Sequence, residues 1–387
     1  MKGVRSHMRI LLLADIHIGS IIDTNYVYST ITSIFDKELL EHHTDAVVIL
    51  GDYFDRLFKA NEDYVALSVN VMSYLVRLCR KNHTKLRMIY GTDSHEMNQY
   101  RLFNYFLSSR SVDIKLITTA TEEELFDGVN VLYLPEEYMK DKHEFYKNTI
   151  YSGKHYNYIF GHGTIIEGMP NFQAVLKQEF DNNNEAKVPK FKIQELSPIA
   201  DIVAFGHIHI PYDNGNIHYI GSLFRDSFGE EQPKRYGIIE NNEISFVENT
   251  KAYIYDTFEY NEDSDIYLSS DNILKHINEI RQNYQELISG EKEGKIRLIF
   301  HPPVDVDPTF YTNLKDILFN DKLFKTLIKE TSKITVTEDD VIEDEWEFVL
   351  DKTLKPDDKI YMMIDKLHED HMTMQELIDY IHNPISF

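Results

Sequence analysis

The chain has 387 residues, of which 42% are hydrophobic and 12% aromatic, a composition typical of a folded globular protein of about two domains. Its net charge of −24 excludes a basic protein that coats nucleic acid by charge attraction alone, although bound divalent cations can reverse the field locally. One cysteine, Cys79, excludes an internal disulfide and suits a reducing cytosol, so we expect a cytoplasmic protein. No apolar run reaches the roughly 18 residues of a membrane span, and the first apolar run is short, reaches Asp15 quickly and lacks a small-residue cleavage site, so we expect no signal peptide.

Short apolar segments alternate with helical patterns in the first part of the chain. Buried strands are predicted at 9–14 (RILLLA), 46–50 (AVVIL), 86–90 (LRMIY), 157–160 (NYIF) and 201–205 (DIVAF). Apolar residues at helical spacing predict helices at 24–42 and 63–82, between the first three strands. Strands that alternate with helices predict an α/β domain whose sheet is covered on both faces.

The pattern changes after the fifth strand. Residues 217–247 contain short strands separated by turn residues, which predicts a β-rich end to the same domain. A smaller α/β module follows, with a strand near 252–260, helices at 271–289 and 308–320, and strands at 295–300 and 333–338; the acidic stretch 337–347 is interpreted as a solvated face rather than a metal site. Two short amphipathic helices are predicted within 356–383. The predicted domains are 8–250, 251–350 and a helical tail, 351–387.

All five predicted strands run into residue types that bind metal ions. The strand ends read ADIH, ILGD, IYGTDSH, IFGHG and AFGHIH, and they supply Asp15, His17, Asp52, His95, His162, His207 and His209. Ligands of open α/β sheets bind outside the carboxyl ends of the strands. A lone histidine is more often a core or surface residue, but coincidence does not account well for this whole ordered set. The sequence therefore predicts a metal site at these strand ends.

The spacing of these residues suits two adjacent ions. Residues two apart in extended backbone point to the same side, so Asp15 and His17 can reach one ion together. His207 and His209 can do the same or can divide between two ions, and Asp52 can bridge them. The glycine before most of the ligands leaves room for close approach. Imidazole with carboxylate favours manganese, iron or zinc over magnesium, and two such ions about 3.5–4 Å apart can polarise a phosphate and generate hydroxide for in-line attack.

The ordered series D-x-H, GD, a Gly-led His turn, GH and GH-x-H resembles the calcineurin-like metallophosphoesterases. The segments GDYFDR and HYIGSLFRDSFGEEQPKRYGIIE (218–240) are similar to the SbcD-type nucleases of double-strand-break repair, which include phage members. The motif resemblance covers about 8–247. It implies a sheet sandwich flanked by helices, a small α/β module that caps the active site and contacts DNA, and a helical tail that binds a coiled-coil ATPase of the SbcC type. It also implies a homodimer formed through the helices 24–42 and 63–82.

The resemblance implies a role for each residue at the strand ends. One manganese ion would be held by Asp15, His17, Asp52 and His209. A second would share Asp52 and be held also by His162 and His207. His95 would face the scissile phosphate and act as the acid for the leaving oxygen. Magnesium, iron or zinc are substitutes for manganese.

The third motif departs from the family pattern, which is Gly-Asn-His with the asparagine on the second ion. Here Thr92, Asp93 and Ser94 separate Gly91 from His95. Counting back from His95 puts Ser94 in the asparagine position, directly or through water. Asp93 is the better ligand chemically, but in an extended turn its side chain points the other way. We favour Ser94 and expect weaker binding of the second ion.

The resemblance thus implies a manganese-dependent DNA nuclease that degrades duplex ends and cuts single strands, as the nuclease subunit of an ATPase complex in DNA repair and recombination. One alternative is an enzyme of the same fold that hydrolyses small phosphodiesters. Another is a scaffold subunit whose metal site has weakened at the third motif.

Overall fold

The structure is a computed structural model that describes residues 8–21, 23–109, 111–165, 190–230, 232–261, 270–301, 314, 318, 321 and 323–328. The chain divides into two compact units, 1–329 and 330–387. The second unit lies outside the described residues, as do most of the predicted helix 308–320 and the predicted strand 333–338. The acidic stretch and the tail helices lie outside them too, so those predictions and the bounds of the three predicted domains stay predictions.

The described residues form strands and helices with the following bounds. In chain order the strands are β1 (Arg9–Leu13), β2 (Ala46–Leu50), β3 (Lys85–Ile89), β4 (Ile114–Ile117), β5 (Thr121–Phe126), β6 (Val129–Leu134), β7 (Tyr156–His162), β8 (Thr164–Ile165), β9 (Lys190–Phe191), β10 (Ala200–Gly206), β11 (Tyr212–Asn214), β12 (Ile217–Tyr219), β13 (Arg235–Glu240), β14 (Glu243–Glu248), β15 (Ile254–Tyr260), β16 (Gly294–Phe300) and β17 (Phe324–Ile328). The helices are α1 (Thr24–Phe35), α2 (Asp63–Asn82), α3 (Asp93–Glu96), α4 (Asn104–Leu107), α5 (Lys142–Phe145), α6 (Ile193–Leu196), α7 (Ser270–Asn283) and α8 (Gln285–Ser289).

Two six-stranded sheets form the main body of the fold. The first sheet has the order β14-β13-β1-β2-β3-β4, in which β1 to β4 are parallel and β13 is antiparallel to both its neighbours. The second sheet has the order β11-β12-β10-β7-β6-β5, with four parallel inner strands and an antiparallel strand at each edge. This arrangement confirms the predicted α/β sheet sandwich flanked by helices.

Alternate side chains of β1 point into two different cores, which explains why its sequence is apolar throughout. Ile10 and Leu12 are buried between the two sheets, together with Phe160 of β7. Leu11 and Leu13 join the core that the first sheet forms with α1 and α2. One face of the first sheet is therefore covered by helices and the other by the second sheet.

Helix α2 has the predicted bounds, whereas the predicted helix 24–42 is α-helical only to Phe35 and continues as a π-helical turn over Asp36–Glu41. The antiparallel pair β5–β6 was not predicted, because β5 (TEEELF) carries three glutamates on a half-exposed edge.

A third sheet, β15-β16-β17, is parallel and packs its apolar face against α7. Ile273, Ile277 and Ile280 of α7 are buried with Leu298 and Phe300 of β16. Strands β15 and β16 and the helical segment between them were predicted, but β17 was not. Among the described residues no helix has both the length and the apolar content that crossing a bilayer would require.

Candidate metal centre

Five predicted strand ends meet at one edge of the sandwich, because β1, β2 and β3 run parallel in one sheet and β7 and β10 run parallel in the other. The chain turns sharply there. Asp15, His17 and Asp52 have φ of +46°, +46° and +47°, and His207 has φ of +88°. Left-handed backbone at non-glycine residues is uncommon and clusters at functional sites. The expectation that Asp15 and His17 share a side through extended backbone is therefore wrong, although their side chains do converge.

The first cluster consists of Asp15, His17 and His209, whose ligand atoms lie within 4.8 Å of one another. Nε2 of His209 is 3.0 Å from Nε2 of His17. Asp15 Oδ1 accepts a hydrogen bond from the His207 backbone N–H, while its buried Oδ2 has no hydrogen-bond partner among the residues that the structure describes. An unpartnered carboxylate oxygen beside two imidazole nitrogens is what a divalent cation needs.

The second cluster consists of Asp52, His162 and His207, with ligand atoms within the same 4.8 Å limit. Nε2 of His162 is 3.2 Å from Oδ2 of Asp52, and the rings of His162 and His207 are 5.2 Å apart. Nδ1 of His162 lies 2.8 Å from the carbonyl oxygen of Leu50. Donation from Nδ1–H to that carbonyl leaves Nε2 to bind an ion. His207 and His209, for which the sequence left two arrangements open, therefore divide between the clusters.

Asp52 lies between the two clusters. Its Oδ2 is 3.2 Å from His162 Nε2 and 3.8 Å from His17 Nε2, and its Oδ1 accepts a 2.6 Å hydrogen bond from the Thr92 backbone N–H. This position fits the predicted bridging role.

Two glycines leave room for the ligand side chains to approach the backbone closely, as predicted. A Cβ on Gly51 would lie 2.2 Å from Nδ1 of His162, and one on Gly91 would lie 2.2 Å from Oδ1 of Asp52. Gly51 also has φ of +86°, which favours glycine. Any larger residue at either position would push a ligand out of place.

His95 reaches the first cluster from α3. Its ring centroid is 4.9 Å from that of His17 in an edge-to-face arrangement, and its Nδ1 hydrogen-bonds to the backbone carbonyl of Asp55. His17, Asp55 and His95 also satisfy the geometry of a metal-binding group. Gln99 fastens α3 to the GDYFDR loop, because its amide donates to the carbonyls of His95 and Arg56.

The GTDSHE segment is one helical turn rather than an extended turn. Ser94 and Asp93 are exposed, and Asp93 Oδ1 accepts a hydrogen bond from the Tyr90 hydroxyl. The Thr92 hydroxyl faces the second cluster instead, 3.3 Å from Nε2 of His162. The predicted ligand role of Ser94 stays a prediction, but the contacts favour Thr92 as the residue in the asparagine position.

Burial and neighbouring charges shift the pKa values of the residues in the two clusters. Burial lowers the pKa of His17 to about 3, so its imidazole is neutral and can bind an ion. Burial also acts to lower the pKa of His162, but Asp52, Asp15 and Glu136 outweigh it and raise that pKa to about 10. Burial acts to raise the pKa of Asp52, and His162 and His17 hold it far below its usual range. A divalent cation would take over the pairing that the His162 proton provides.

Four acidic residues near the clusters were not predicted as part of the site. They are Asp55, Glu136, Asp226 and Glu230. Glu136 comes two residues after β6, so a strand-end carboxylate was the available signal. Asp55 lies in GDYFDR, and Asp226 and Glu230 lie in the segment 218–240. Both segments carry the family resemblance, but the sequence does not show that these carboxylates reach the clusters.

Glu230 lies at the Nδ1 edge of the His209 ring, away from the Nε2 atom that faces His17. Its Oε1 lies 3.4 Å from Nδ1 of His209, and its Oε2 accepts a 2.6 Å hydrogen bond from Lys234, whose side chain is buried. Asp226 Oδ2 is 3.8 Å from the same Nδ1. Burial acts to lower the pKa of His209, but the hydrogen bond to Glu230 and the charge of Asp15 raise it to about 9. A carboxylate behind a metal-binding histidine fixes the orientation of its ring.

The sheet sandwich and its paired Asp/His clusters are those of a metal-dependent phosphoester hydrolase. The family description "calcineurin-like phosphoesterase" matches residues 8–211, more than half of the chain, and the protein belongs to this family. No curated protein matches the sequence. One matching crystal structure aligns over its whole length with 63% of this chain, at 11% sequence identity and a TM-score of 0.38.

Proposed function

We propose that this chain is a manganese-dependent DNA nuclease, an exonuclease on duplex ends and an endonuclease on single strands. It would be the nuclease subunit of an SbcC/SbcD-type ATPase complex in DNA repair and recombination. The observation that supports two-ion hydrolysis is the Asp52 carboxylate between two Asp/His clusters. The SbcD-like segments GDYFDR and 218–240, together with the α/β module after residue 250, support DNA as the substrate.

The donor set fits two divalent ions. Asp15, His17 and His209 would hold one, His162 and His207 the other, and Asp52 both. When bound, the ions would supply positive charge that polarises the phosphate and activates an attacking water.

The chain itself orients the groups that act on the substrate. The Thr92 N–H fixes Asp52 through Oδ1, which leaves Oδ2 facing both clusters. The carbonyl of Asp55 accepts the Nδ1 proton of His95, so the Nε2 end of that ring can carry the proton that the leaving oxygen takes up. The ring is partly exposed, which gives a substrate access to it.

The test compares three substrates in manganese: linear duplex DNA, circular single-stranded DNA and bis-p-nitrophenyl phosphate. Each is assayed with the purified chain alone and with an SbcC-type ATPase. We expect cleavage of both DNAs, more strongly with the ATPase, and loss of both activities in His95→Ala. Hydrolysis of the small ester alone would establish the small-substrate alternative. No hydrolysis of any substrate, with manganese and the partner present, would favour the scaffold.

DNA binding and assembly give a second test. Because the net charge is −24, we expect weak, salt-sensitive DNA binding by this chain alone and tighter binding with the ATPase. Nanomolar binding by the chain alone at physiological salt contradicts this. The proposal also includes the homodimer that the resemblance implies, formed through the helices 24–42 and 63–82. Sedimentation should detect this dimer, and a monomer at micromolar concentration would contradict it.

A further inference from the structure

Glu136 is a buried carboxylate at the second cluster that no family motif covers. It lies in the loop after β6, a strand that runs parallel to β7, so it emerges at the same edge as His162. Its backbone N–H donates to the Tyr90 carbonyl at the end of β3, which ties the loop to the third motif. The side chain is 2% exposed. Glu136 thus comes from a sixth strand end, beside the five strand ends that the sequence predicts.

The Oε2 atom of Glu136 faces the ligand atoms of the second cluster. It is 3.9 Å from Nε2 of His162, 3.7 Å from Nδ1 of His207 and 3.1 Å from the Thr92 hydroxyl. Ligand atoms about 2.1 Å from one shared ion stand roughly 3–4 Å from one another. The two histidine distances are those of neighbouring ligands around a single cation, whereas the Thr92 contact is a hydrogen bond that holds Oε2 in place.

The hydrogen-bond donors to Glu136 do not neutralise its negative charge, so that charge is available to bind an ion. Its Oε1 accepts from the Tyr138 hydroxyl at 2.7 Å and its Oε2 from Thr92, and both donors are neutral. Within the described part of the chain, the basic side chains that lie within 4.0 Å of it are the two histidines that would themselves bind the ion, and neither lysine nor arginine is among them. Glu230 differs, because Lys234 already neutralises it. A buried carboxylate without a lysine or arginine partner is costly unless a cation joins it.

We infer that Glu136 is a ligand of the second ion and supplies the oxygen that the family takes from asparagine. The Thr92 side chain, in the asparagine position, then holds the carboxylate rather than the ion. The inference rests on the family's metal chemistry and is independent of whether DNA is the substrate.

Manganese titration by calorimetry on the full chain tests it. We expect Glu136→Ala to weaken the second ion about 100-fold and Glu136→Gln about tenfold, because the amide keeps an oxygen without the charge. Affinity for the first ion should stay within twofold. The matched control is Glu137→Gln. This neighbouring carboxylate accepts from the Ala120 N–H and the Tyr146 hydroxyl, so both affinities should be unchanged.

A double variant and a spectrum separate ligation from a structural role. T92N/E136Q should recover at least half of the lost binding free energy, since it restores the family's amide oxygen. The visible absorption of the cobalt(II)-loaded protein should change in Glu136→Gln and not in Glu137→Gln. Unchanged second-ion affinity in Glu136→Gln, or equal losses in Glu136→Gln and Glu137→Gln, would overturn the inference. These readouts do not depend on nuclease activity, so a failed DNA assay leaves them intact.

Discussion

The first and second clusters use the same kinds of ligand but differ in the carboxylate beside them. Glu230 lies behind His209 of the first cluster and is neutralised by Lys234, 2.6 Å away. Glu136 lies beside both histidines of the second cluster and accepts hydrogen bonds from the hydroxyl groups of Thr92 and Tyr138. A neutralised carboxylate can orient a ligand, whereas an uncompensated one can bind a cation itself. The two sides of the site should therefore respond differently to matching substitutions.

Asp52 lies between the two clusters, so its substitution should weaken ion binding at both and remove the difference between them. Asp52→Asn leaves both ions without the shared charged oxygen, and we expect phosphodiester hydrolysis in manganese to fall by about 1,000-fold. Initial rates on bis-p-nitrophenyl phosphate measure this. Asp201→Asn, an exposed carboxylate paired with His155, is the control and should keep the wild-type rate. More than a tenth of the wild-type rate in Asp52→Asn would show that Asp52 does not bridge.

His95 lies nearer to the first cluster and should affect chemistry more than binding. We expect His95→Ala to lower the maximal rate by about 100-fold or more, as the loss of a general acid does. Manganese affinity at both sites should change less than threefold. His17, Asp55 and His95 also form a group that could hold an ion. Loss of a bound ion in His95→Ala, measured as stoichiometry by calorimetry, would make His95 a ligand instead of the acid.

The strands and helices with a clear apolar period, and the residues at the strand ends, could be predicted from the sequence. Strand β2 and helix α2 have their predicted bounds, because burial on both faces or on one stripe leaves a clear apolar period. The Asp and His residues converge because they follow parallel strands, and parallel strands end at the same edge. Edge strand β5 carries no such pattern.

The third motif shows where sequence reasoning stops. The choice of Ser94 over Asp93 assumes an extended turn, but residues 93–96 make a helical turn that exposes Ser94 and leaves Thr92 at its start, facing inward. Lys234 and Glu230 meet His209 only because a loop folds back to it. The local sequence predicts neither the helical turn nor the path by which the loop returns to His209.

Substitution of Glu230 tests the first cluster alone. Removing its charge should weaken the orientation of His209, so Glu230→Gln should lower first-ion affinity about tenfold and leave the second ion within twofold. Manganese titration by calorimetry measures both. The matched control is Glu122→Gln, which breaks a glutamate–lysine pair with Lys154 that lines no cluster. If Glu230→Gln instead removes one bound ion from the count, the group His209, Asp226 and Glu230 is itself an ion site.

The smallest expected effect concerns Thr92 and Ser94, the two residues that compete for the asparagine position. Thr92 faces His162, so Thr92→Asn places an amide oxygen near the second ion and should raise its affinity about threefold. The gain is modest because Glu136 would already supply an oxygen there, and the variant also removes the hydroxyl that holds this carboxylate. Ser94 is exposed on the helical turn, so Ser94→Asn should leave both affinities unchanged. Manganese titration of the two variants side by side decides between the residues. A gain in Ser94→Asn with none in Thr92→Asn would return the ligand role to Ser94 and require the turn to rearrange when the ion binds.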